Sequence, residues 1–396
     1  MSCPAEYWIW LQRTLGAGKN FNHLISCFGD AEKIYEAGRN NLLKSGIINR
    51  KTANDLAMFS PSESYSVMKQ CKDNGWKIIT YDDDCYPSLL KSIPAFPLVL
   101  YVYGNEQILK TKFAIGVVGT RDATDAGIAA AKAISADLVN SGAVVVSGGA
   151  LGIDAAAHES AIEAGGQTIA FLGCGLGCKY LMQNESLRQN IAKNGAVVSE
   201  YLPFVEPSKS SFPIRNRLIS GMSKGVVVVE AGEKSGSVIT AEHAKKQGRD
   251  VFAVPGDIYN KKYTGTNHLL NQGALPVIRP SDVASYYCDL AVSYDIRKNT
   301  RNFHDIPTEV RNEIRTEKIK PEEAVRKTTQ KPVLADYASE NAKKLYGIIT
   351  ENPKTADEYV EETGMTVQDL LSAITELELY GVVTMHSGKR YGLKTN

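Results

Sequence analysis

The chain has 396 residues, of which 43% are apolar and 22% charged, so it is long enough for a sizeable core and for two or three domains and reads as globular and soluble. Its formal net charge is +1, which excludes an overall basic excess as the basis for binding nucleic acid; any anion site has to come from local placement of charge. The seven cysteines, Cys3, Cys27, Cys71, Cys85, Cys174, Cys178 and Cys288, are odd in number, scattered and without a C-x-x-C pair. That pattern fits reduced thiols in a cytosolic protein, and no second Cys or His pair accompanies Cys174 and Cys178 at metal-ligand spacing, so no metal is expected. The N-terminus lacks a basic stretch followed by an apolar segment, and no apolar run approaches the roughly 18 residues of a membrane span. A cytoplasmic protein without membrane insertion is expected.

Residues 1–78 carry apolar spacings of helical period, through Ile9, Leu11, Leu15, Leu24, Ile25, Phe28, Ile34, Leu42, Leu43, Ile47 and Leu56, broken by glycine turns such as Gly16-Ala17-Gly18. A small helical bundle follows from this, serving packing or interaction. Turn N–H groups touching a nucleic-acid backbone are the alternative. The acidic, turn-like Tyr81-Asp82-Asp83-Asp84-Cys85-Tyr86-Pro87 and an extended piece from Leu98 to Tyr103 lead into the next region.

From Phe113 the texture becomes apolar strand, glycine-rich turn, amphipathic helix. Strands are expected at 113–118, 143–147, 168–172, 196–199, 225–230, 251–254 and 275–278, with helices at 126–140, 153–164, 184–193 and 236–247. Continuous Val/Ile runs mark strands buried on both faces, and their alternation with helices demands a mainly parallel sheet with right-handed crossovers. The fold class is α/β, an extended Rossmann-like doubly wound domain over 79–288. Ligands of such sheets bind at the carboxyl ends of the strands. There the loops read Gly119-Thr120-Arg121, Ser147-Gly148-Gly149, Gly173-Cys174-Gly175-Leu176-Gly177, Ser199-Glu200 and Ser235-Gly236-Ser237. Glycines permit close backbone approach, so their N–H groups can face an anion at a helix N-terminus. Arg121, Arg215 and Arg217 add fork-shaped donors suited to phosphate. No G-x-x-x-x-G-K-[ST] occurs and no G-x-G-x-x-G follows the first strand, which argues against P-loop hydrolysis and against a nicotinamide cofactor.

Residues 289–338 are rich in Lys, Arg and Glu and broken by Pro307, Pro321 and Pro332, as a linker would be. Over 339–396, Leu345, Ile348 and Ile349 suggest one helix, Thr355 with Glu358 a capping box, Thr366 to Tyr380 another helix, and Val382 to Tyr391 a hairpin turning at Ser387-Gly388. Helices followed by a hairpin make a winged helix. Its second helix carries Asp369, Glu376 and Glu378 and no Lys or Arg, which favours docking to protein over entry into a DNA groove, although Lys389 and Arg390 in the wing keep a DNA contact open.

The ordered motifs Val118-Gly119-Thr120-Arg121, Ser147-Gly148-Gly149-Ala150-x-Gly152-Ile153-Asp154, Ser199-Glu200, Phe212-Pro213-x-Arg215-Asn216-Arg217, Glu230-Ala231, Ser235-Gly236-Ser237, Val254-Pro255-Gly256 and Gly265-x-Asn267 carry a family resemblance. Over roughly 80–278 the chain resembles the bacterial DNA-processing protein A (DprA, or Smf) family. The resemblance implies a non-enzymatic single-stranded DNA-binding protein of DNA uptake and natural transformation, which protects incoming strands and loads the RecA recombinase. It also implies a homodimer through the Rossmann-like core, a sterile-alpha-motif-like N-terminal domain, a C-terminal winged helix and no cofactor. Carried over residue by residue, the DNA contacts of the family fall on Arg121, Lys209, Arg215 and Arg217. With the glycine loops, the expected phosphate-binding set is Gly119, Thr120, Arg121, Ser147, Gly148, Gly149, Lys209, Phe212, Arg215, Asn216, Arg217, Ser235, Gly236 and Ser237. The sequence departs from the family at 180–184, where Tyr-Leu-Met-Gln-Asn replaces the usual Tyr-Pro and Asn, and at Ala126, where an aromatic is frequent.

Several of these residues have a structural role to weigh against the functional one. Arg215 or Arg217 can pair with Glu200 or Glu230, leaving the other for DNA. Asp154 and His158, four apart on a helix, read as loop anchor and hydrogen-bonded packing rather than an acid/base pair, because neither motif supplies a nucleophile or third ligand. Tyr201, Phe204, Phe212 and Tyr263 are core or stacking platforms for bases. Leu269 and Leu270 pack internally or against a second subunit. The nearest enzymatic alternative is a nucleoside-monophosphate phosphoribohydrolase of the Lonely Guy type using Glu230 and Glu242, but its P-G-G-x-G-T-x-x-E signature is absent.

Overall fold

Residues 3–179, 184–288, 339–350, 354–379, 382–386 and 390–393 are described by the computed structural model. The chain divides into two units, Met1–Phe303 and His304–Asn396, and each is described by itself. The linker expected at 289–338, the departure at 180–183 and the turn at 387–389 lie outside the described residues.

The first unit opens with α1 (Ala5–Leu15), α2 (Asn22–Phe28), α3 (Ala31–Lys44), α4 (Arg50–Met58) and α5 (Ser64–Asp73). Asp30 and Asn49 cap α3 and α4 by accepting from Lys33 N and Thr52 N, and α3 breaks at Gly38, whose φ of 68° few other residues adopt. In α1 five consecutive residues, Trp8 to Gln12, are buried, more than one helical face can supply. The cause is that α1 packs against the other helices on one side and against the sheet edge on the other. Gln12 joins the two: its Nε2 donates to the Val99 and Glu200 carbonyls at 2.9 Å, and its Oε1 accepts from Val99 N at 2.7 Å. The expected bundle is therefore there as helices, but its apolar side chains belong to one core with the sheet.

The sheet and its helices follow in the order β1 (Lys77–Thr80), α6 (Ser88–Lys91), β2 (Val99–Gly104), β3 (Ala114–Val118), α7 (Asp125–Asn140), β4 (Val144–Ser147), α8 (Ile153–Glu163), β5 (Thr168–Leu172), α9 (Glu185–Asn194) and β6 (Gly195–Ser199). Then come α10 (Ser211–Met222), β7 (Gly225–Val228), α11 (Gly236–Lys246), β8 (Asp250–Ala253), α12 (Thr264–Asn271) and β9 (Leu275–Pro276). Among the described residues the nine strands form one sheet, ordered β1-β2-β6-β5-β4-β3-β7-β8-β9. From β6 to β9 all pairs are parallel, while β2 joins β6, and β1 joins β2, antiparallel. The parallel strands lie where the apolar runs predict them, except that β7 stops at Val228 and β9 is only two residues. The antiparallel edge is an addition to the reading from sequence: Leu98 to Tyr103 becomes β2, and the four-residue β1 straddles the boundary drawn at 78.

Alternate residues of the strands feed different layers, as the pleat requires. Val226 and Val228 face the layer that includes α10, α11 and the N-terminal helices, whereas Val227 and Val229 pack with Ala131, Ile134 and Ala157 of α7 and α8. Strand order reverses at β3, with β4 on one side and β7 on the other. That is the switch point at which doubly wound sheets open a crevice.

The second unit contains α13 (Glu340–Ile348), β10 (Lys354–Thr355), α14 (Ala356–Thr363), α15 (Val367–Leu379), β11 (Val383–His386) and β12 (Arg390–Leu393). The capping box forms as expected, with Thr355 accepting from Glu358 N and Glu358 from Thr355 N. β11 and β12 pair antiparallel as a wing, and β10 adds a third strand to it. On α15, Glu376 accepts from Ser339 N at 2.9 Å, so this acid anchors the start of α13.

Candidate functional site

The loops that follow β3, β4 and β7 meet the N-termini of α10 and α11 around a cleft of about 410 Å³. Gly119, Thr120 and Arg121 form one wall, Phe212, Arg215 and Asn216 the second, and Ser235, Gly236 and Ser237 the third. Each wall has a local cause. Thr120 N donates to the Glu230 carbonyl at 2.8 Å and Ile153 N to the Thr120 carbonyl at 3.2 Å, which ties the first loop to its neighbours. Gly152, with φ of 74°, lets α8 begin beneath that loop; a Cβ there would stand 2.5 Å from the Thr120 and Arg121 carbonyl oxygens. Ser235 caps α11 by accepting from Ser237 N, so the first turn of an eleven-residue helix, with its partial positive charge, opens into the cleft.

Arg215 is only 5% exposed, although it lines the cleft. Its Nη1 donates to the Gly148 carbonyl at 2.7 Å and to the Phe171 carbonyl, and its Nε donates to Asn216 Oδ1 at 3.1 Å. Asn216 Nδ2 in turn donates to the Gly236 carbonyl at 3.0 Å, coupling the second wall to the third. Asp154 completes the cluster by accepting from Gly148 N at 3.1 Å. Burial raises the Asp154 carboxyl above its usual range, with the charge of Arg215 opposing; burial likewise lowers Arg215, with Asp154 opposing. Gly148 is required between them, since a Cβ would lie 2.7 Å from both Arg215 Nη atoms and from Asp154 Oδ2.

Arg121 is exposed on the opposite wall, its guanidinium carbon 5.2 Å from the centre of the Phe212 ring. Arg121 and Arg215 thus stand at the same cleft with Phe212. The other carboxylate at the cleft, Asp122, faces Lys262 Nζ at 2.9 Å. Gly148, Gly149, Gly173 and Arg188 line a small recess beside Arg121, Phe212 and Arg215.

The remaining expected residues are elsewhere. Arg217 points its Nη2 at Glu200, 2.6 and 2.7 Å from the two carboxylate oxygens, and both side chains are buried away from the cleft. Glu230 is engaged differently, accepting from Thr124 N and Thr124 Oγ1. Ser147 lies beneath its loop, donating Oγ to the Val117 carbonyl at 2.6 Å, and Lys209 is exposed in the turn before α10 without lining the cleft. The glycine turn at 16–18 is likewise occupied within the protein: Gly18 N donates to Glu200 Oε1 at 3.3 Å and its Cα packs on Ile214. Arg188, which lines the small recess, is not among the residues expected from sequence. Its signal is an arginine in the first turns of the helix that follows β5, at the same sheet edge.

His158 is buried in packing, as expected. Thr168 Oγ1 donates its hydrogen to the Val145 carbonyl, so at the 2.7 Å contact His158 Nδ1 carries the proton and donates to Thr168 Oγ1. Its Nε2 is buried without a partner among the described residues, and burial lowers its pKa to about 3. Burial also pushes the Cys174 thiol up to about 12, which makes it inert packing. Tyr201 donates its hydroxyl to the Ser211 carbonyl and Leu269 is buried inside, whereas Phe204 remains exposed. Among the described residues no group of His, Cys, Asp and Glu could hold a metal ion, and no helix is long and apolar enough to cross a membrane.

Residues 77–287 match the family model of DNA recombination-mediator protein A, and residues 329–389 match that of the DprA winged helix domain. The chain is 33% identical over 340 residues to Protein Smf of Synechocystis sp., covering 83% of this chain and 82% of that protein. It is similar to the X-ray structure of DNA processing protein A from Streptococcus pneumoniae, with a TM-score of 0.63, 32% identity, and coverage of 72% of this chain and 98% of that one. A second structure, of DNA processing protein A from Helicobacter pylori, was solved for its single-stranded DNA binding mode; it aligns with a TM-score of 0.50 and 31% identity over 54% of this chain and 96% of that one.

Proposed function

The chain belongs to the DNA recombination-mediator protein A (DprA/Smf) family, and from that premise we propose that it binds single-stranded DNA through phosphates held in the cleft between Arg121 and Arg215. The observation that carries this reading is the convergence of two arginines, a helix N-terminus and glycine-walled loops on one opening at the switch point of the sheet. A guanidinium on each side with N–H groups between them suits a phosphodiester, whose charge is delocalised over two oxygens. Phe212 and the Arg121 guanidinium over its ring form a stack at the cleft on which a base can be laid, which favours an unpaired strand because a duplex hides its base faces.

On this reading the protein acts in DNA uptake by covering incoming strands and handing them to the RecA recombinase, as a homodimer in the cytoplasm, and it binds rather than catalyses. Arg217 is assigned to the structure and Arg215 to the DNA, and Lys209 adds long-range attraction from the rim. The hydrolase alternative needs two converging carboxylates, but Glu230 is buried against Thr124 and the exposed Glu242 does not line the cleft. The test is an electrophoretic shift comparing single-stranded with duplex DNA of one length across a salt series. Preferential retention of the single strand, weakening steeply with salt, supports the reading; equal retention of duplex overturns it.

A further inference from the structure

A second groove, of about 560 Å³, lies between the end of α5 and β1. Met68, Trp76 and Ile78 form its floor, Lys69, Lys72 and Lys77 its rim, and no carboxylate lines it. Lys69 is paired with Asp73 at 2.7 Å, whereas Lys72 and Lys77 are exposed and form no ion pair among the described residues. An aromatic floor under a cationic rim is the combination that holds single-stranded nucleic acid: every base has a face to stack, and every phosphate has a charge to neutralise.

The loop after β5 links the cleft to the groove. Gly173 packs on the Phe212 ring, where a Cβ would lie 2.8 Å away, and Gly177 at the other end of the same loop packs on Phe204 and Trp76. Between them, Gly175 N donates to the Val205 carbonyl at 2.8 Å and Gly177 N to the Pro203 carbonyl at 2.7 Å, so the loop is fixed against the segment that carries Phe204. Phe204 is 52% exposed, its ring centre 5.8 Å from that of Trp76, and the exposed Lys179 follows the loop. The path from Phe212 to Trp76 therefore offers aromatic faces at both ends and lysines beyond.

We infer that this groove holds the continuation of the same bound strand, with bases stacked on Phe204 and Trp76 and phosphates against Lys72 and Lys77. The inference rests on the reading of the cleft as the DNA site. An acidic peptide laid along the unpaired edge of β1 is the competing occupant, and the aromatic rings at both ends of the linking loop, Phe212 at one and Phe204 with Trp76 at the other, favour the strand.

The experiment uses the full chain and oligothymidylates of increasing length. Of the three tryptophans, Trp8 and Trp10 are buried, so quenching of tryptophan fluorescence reports on Trp76. Short strands that fill only the cleft are expected to bind without quenching, and longer strands to quench. In Lys72→Glu/Lys77→Glu, both changes lying on the exposed rim, the longer strands should bind about tenfold more weakly and the salt slope should fall by about 1.4, the value for two phosphates of a single strand. Phe204→Ala should weaken the longer strands alone. Wild-type affinity and slope in the double-lysine variant, while Arg121→Ala weakens every length, would overturn this inference and leave the cleft reading intact. Loss of no length in Arg121→Ala would overturn both. Quenching by a poly-glutamate peptide but by no oligonucleotide would assign the groove to a protein partner.

Discussion

Arg217 Nη2 lies 2.6 Å from Glu200 Oε1 and 2.7 Å from Oε2, in a pair whose side chains are 6% and 0% exposed. Glu200 also receives Gly18 N, so one buried carboxylate ties α10 to the N-terminal helices. The Nε and Nη1 atoms of Arg217 have no partner among the described residues, so Glu200 is the compensation for a buried charge. Glu200→Ala and Arg217→Ala should each cost about 3–5 kcal/mol, because each strands the opposite charge. The double variant Glu200→Ala/Arg217→Ala should cost much less than the sum. Urea unfolding of the four proteins measures the cycle, and additive losses would refute the pairing.

Arg121 and Arg215 should differ in how their loss is felt. Arg121 is exposed, so Arg121→Ala should leave stability within about 0.5 kcal/mol of wild type and lower the salt slope of single-strand binding by about 0.7. Arg215 holds the Gly148 and Phe171 carbonyls and faces Asp154, so Arg215→Ala should also destabilise, by about 3 kcal/mol or more. Binding isotherms at several salt concentrations, paired with thermal melts, separate the two effects.

Gly152→Ala should disturb the cleft without touching a charge. At φ of 74° an alanine costs about 1–3 kcal/mol, and its Cβ would press on the Thr120 and Arg121 carbonyls at 2.5 Å. The loop that carries Arg121 has to move, so binding should fall along with stability. Retained affinity at full occupancy of the folded state would show that the loop position is not critical.

His158 makes the fold sensitive to acid. Its folded pKa, lowered by burial and then by the nearby Arg215 to about 3, is below the unfolded value of about 6.5. Between these two values the unfolded chain binds a proton that the folded chain does not, so stability falls as pH drops from about 6.5 towards 3 and levels off below. From pH 7 to about pH 4.5 the loss should be about 2–3 kcal/mol. Asp154, raised by burial, works in the opposite sense at the acid end, since its stabilisation is present at low pH and lost as pH rises through its folded value. Urea midpoints of His158→Gln across this range should be flatter than those of wild type, and parallel curves would exclude the histidine as the cause.

The division of labour between sequence and tertiary structure is clearest at Phe212 to Gly221. Strand positions from Ala114 to Ala253 and the helices α7, α8, α9 and α11 between them were legible, because buried parallel strands are continuous apolar runs and crossover helices keep a period near 3.6, whereas α10 is not among the helices expected from sequence. The placement of the glycine loops on one edge follows from that topology alone, and with it the gathering of Gly119, Thr120, Arg121 and Ser235 to Ser237 at one cleft. Sequence also set the choice for the two arginines, one for a carboxylate and one for the opening. It could not assign them, because Glu200 and Glu230 are equally available along the chain. Distance decided: α10 brings Arg217 onto Glu200, while Thr124 occupies Glu230 and Arg215 is left beneath the glycine loop at 148. The edge strand β1, the antiparallel pairing of the extended piece that becomes β2, and the groove at Trp76 were hidden for the same reason. A four-residue strand has too short a period to declare itself, and a basic rim built from α5, β1 and a loop a hundred residues later has no contiguous signature.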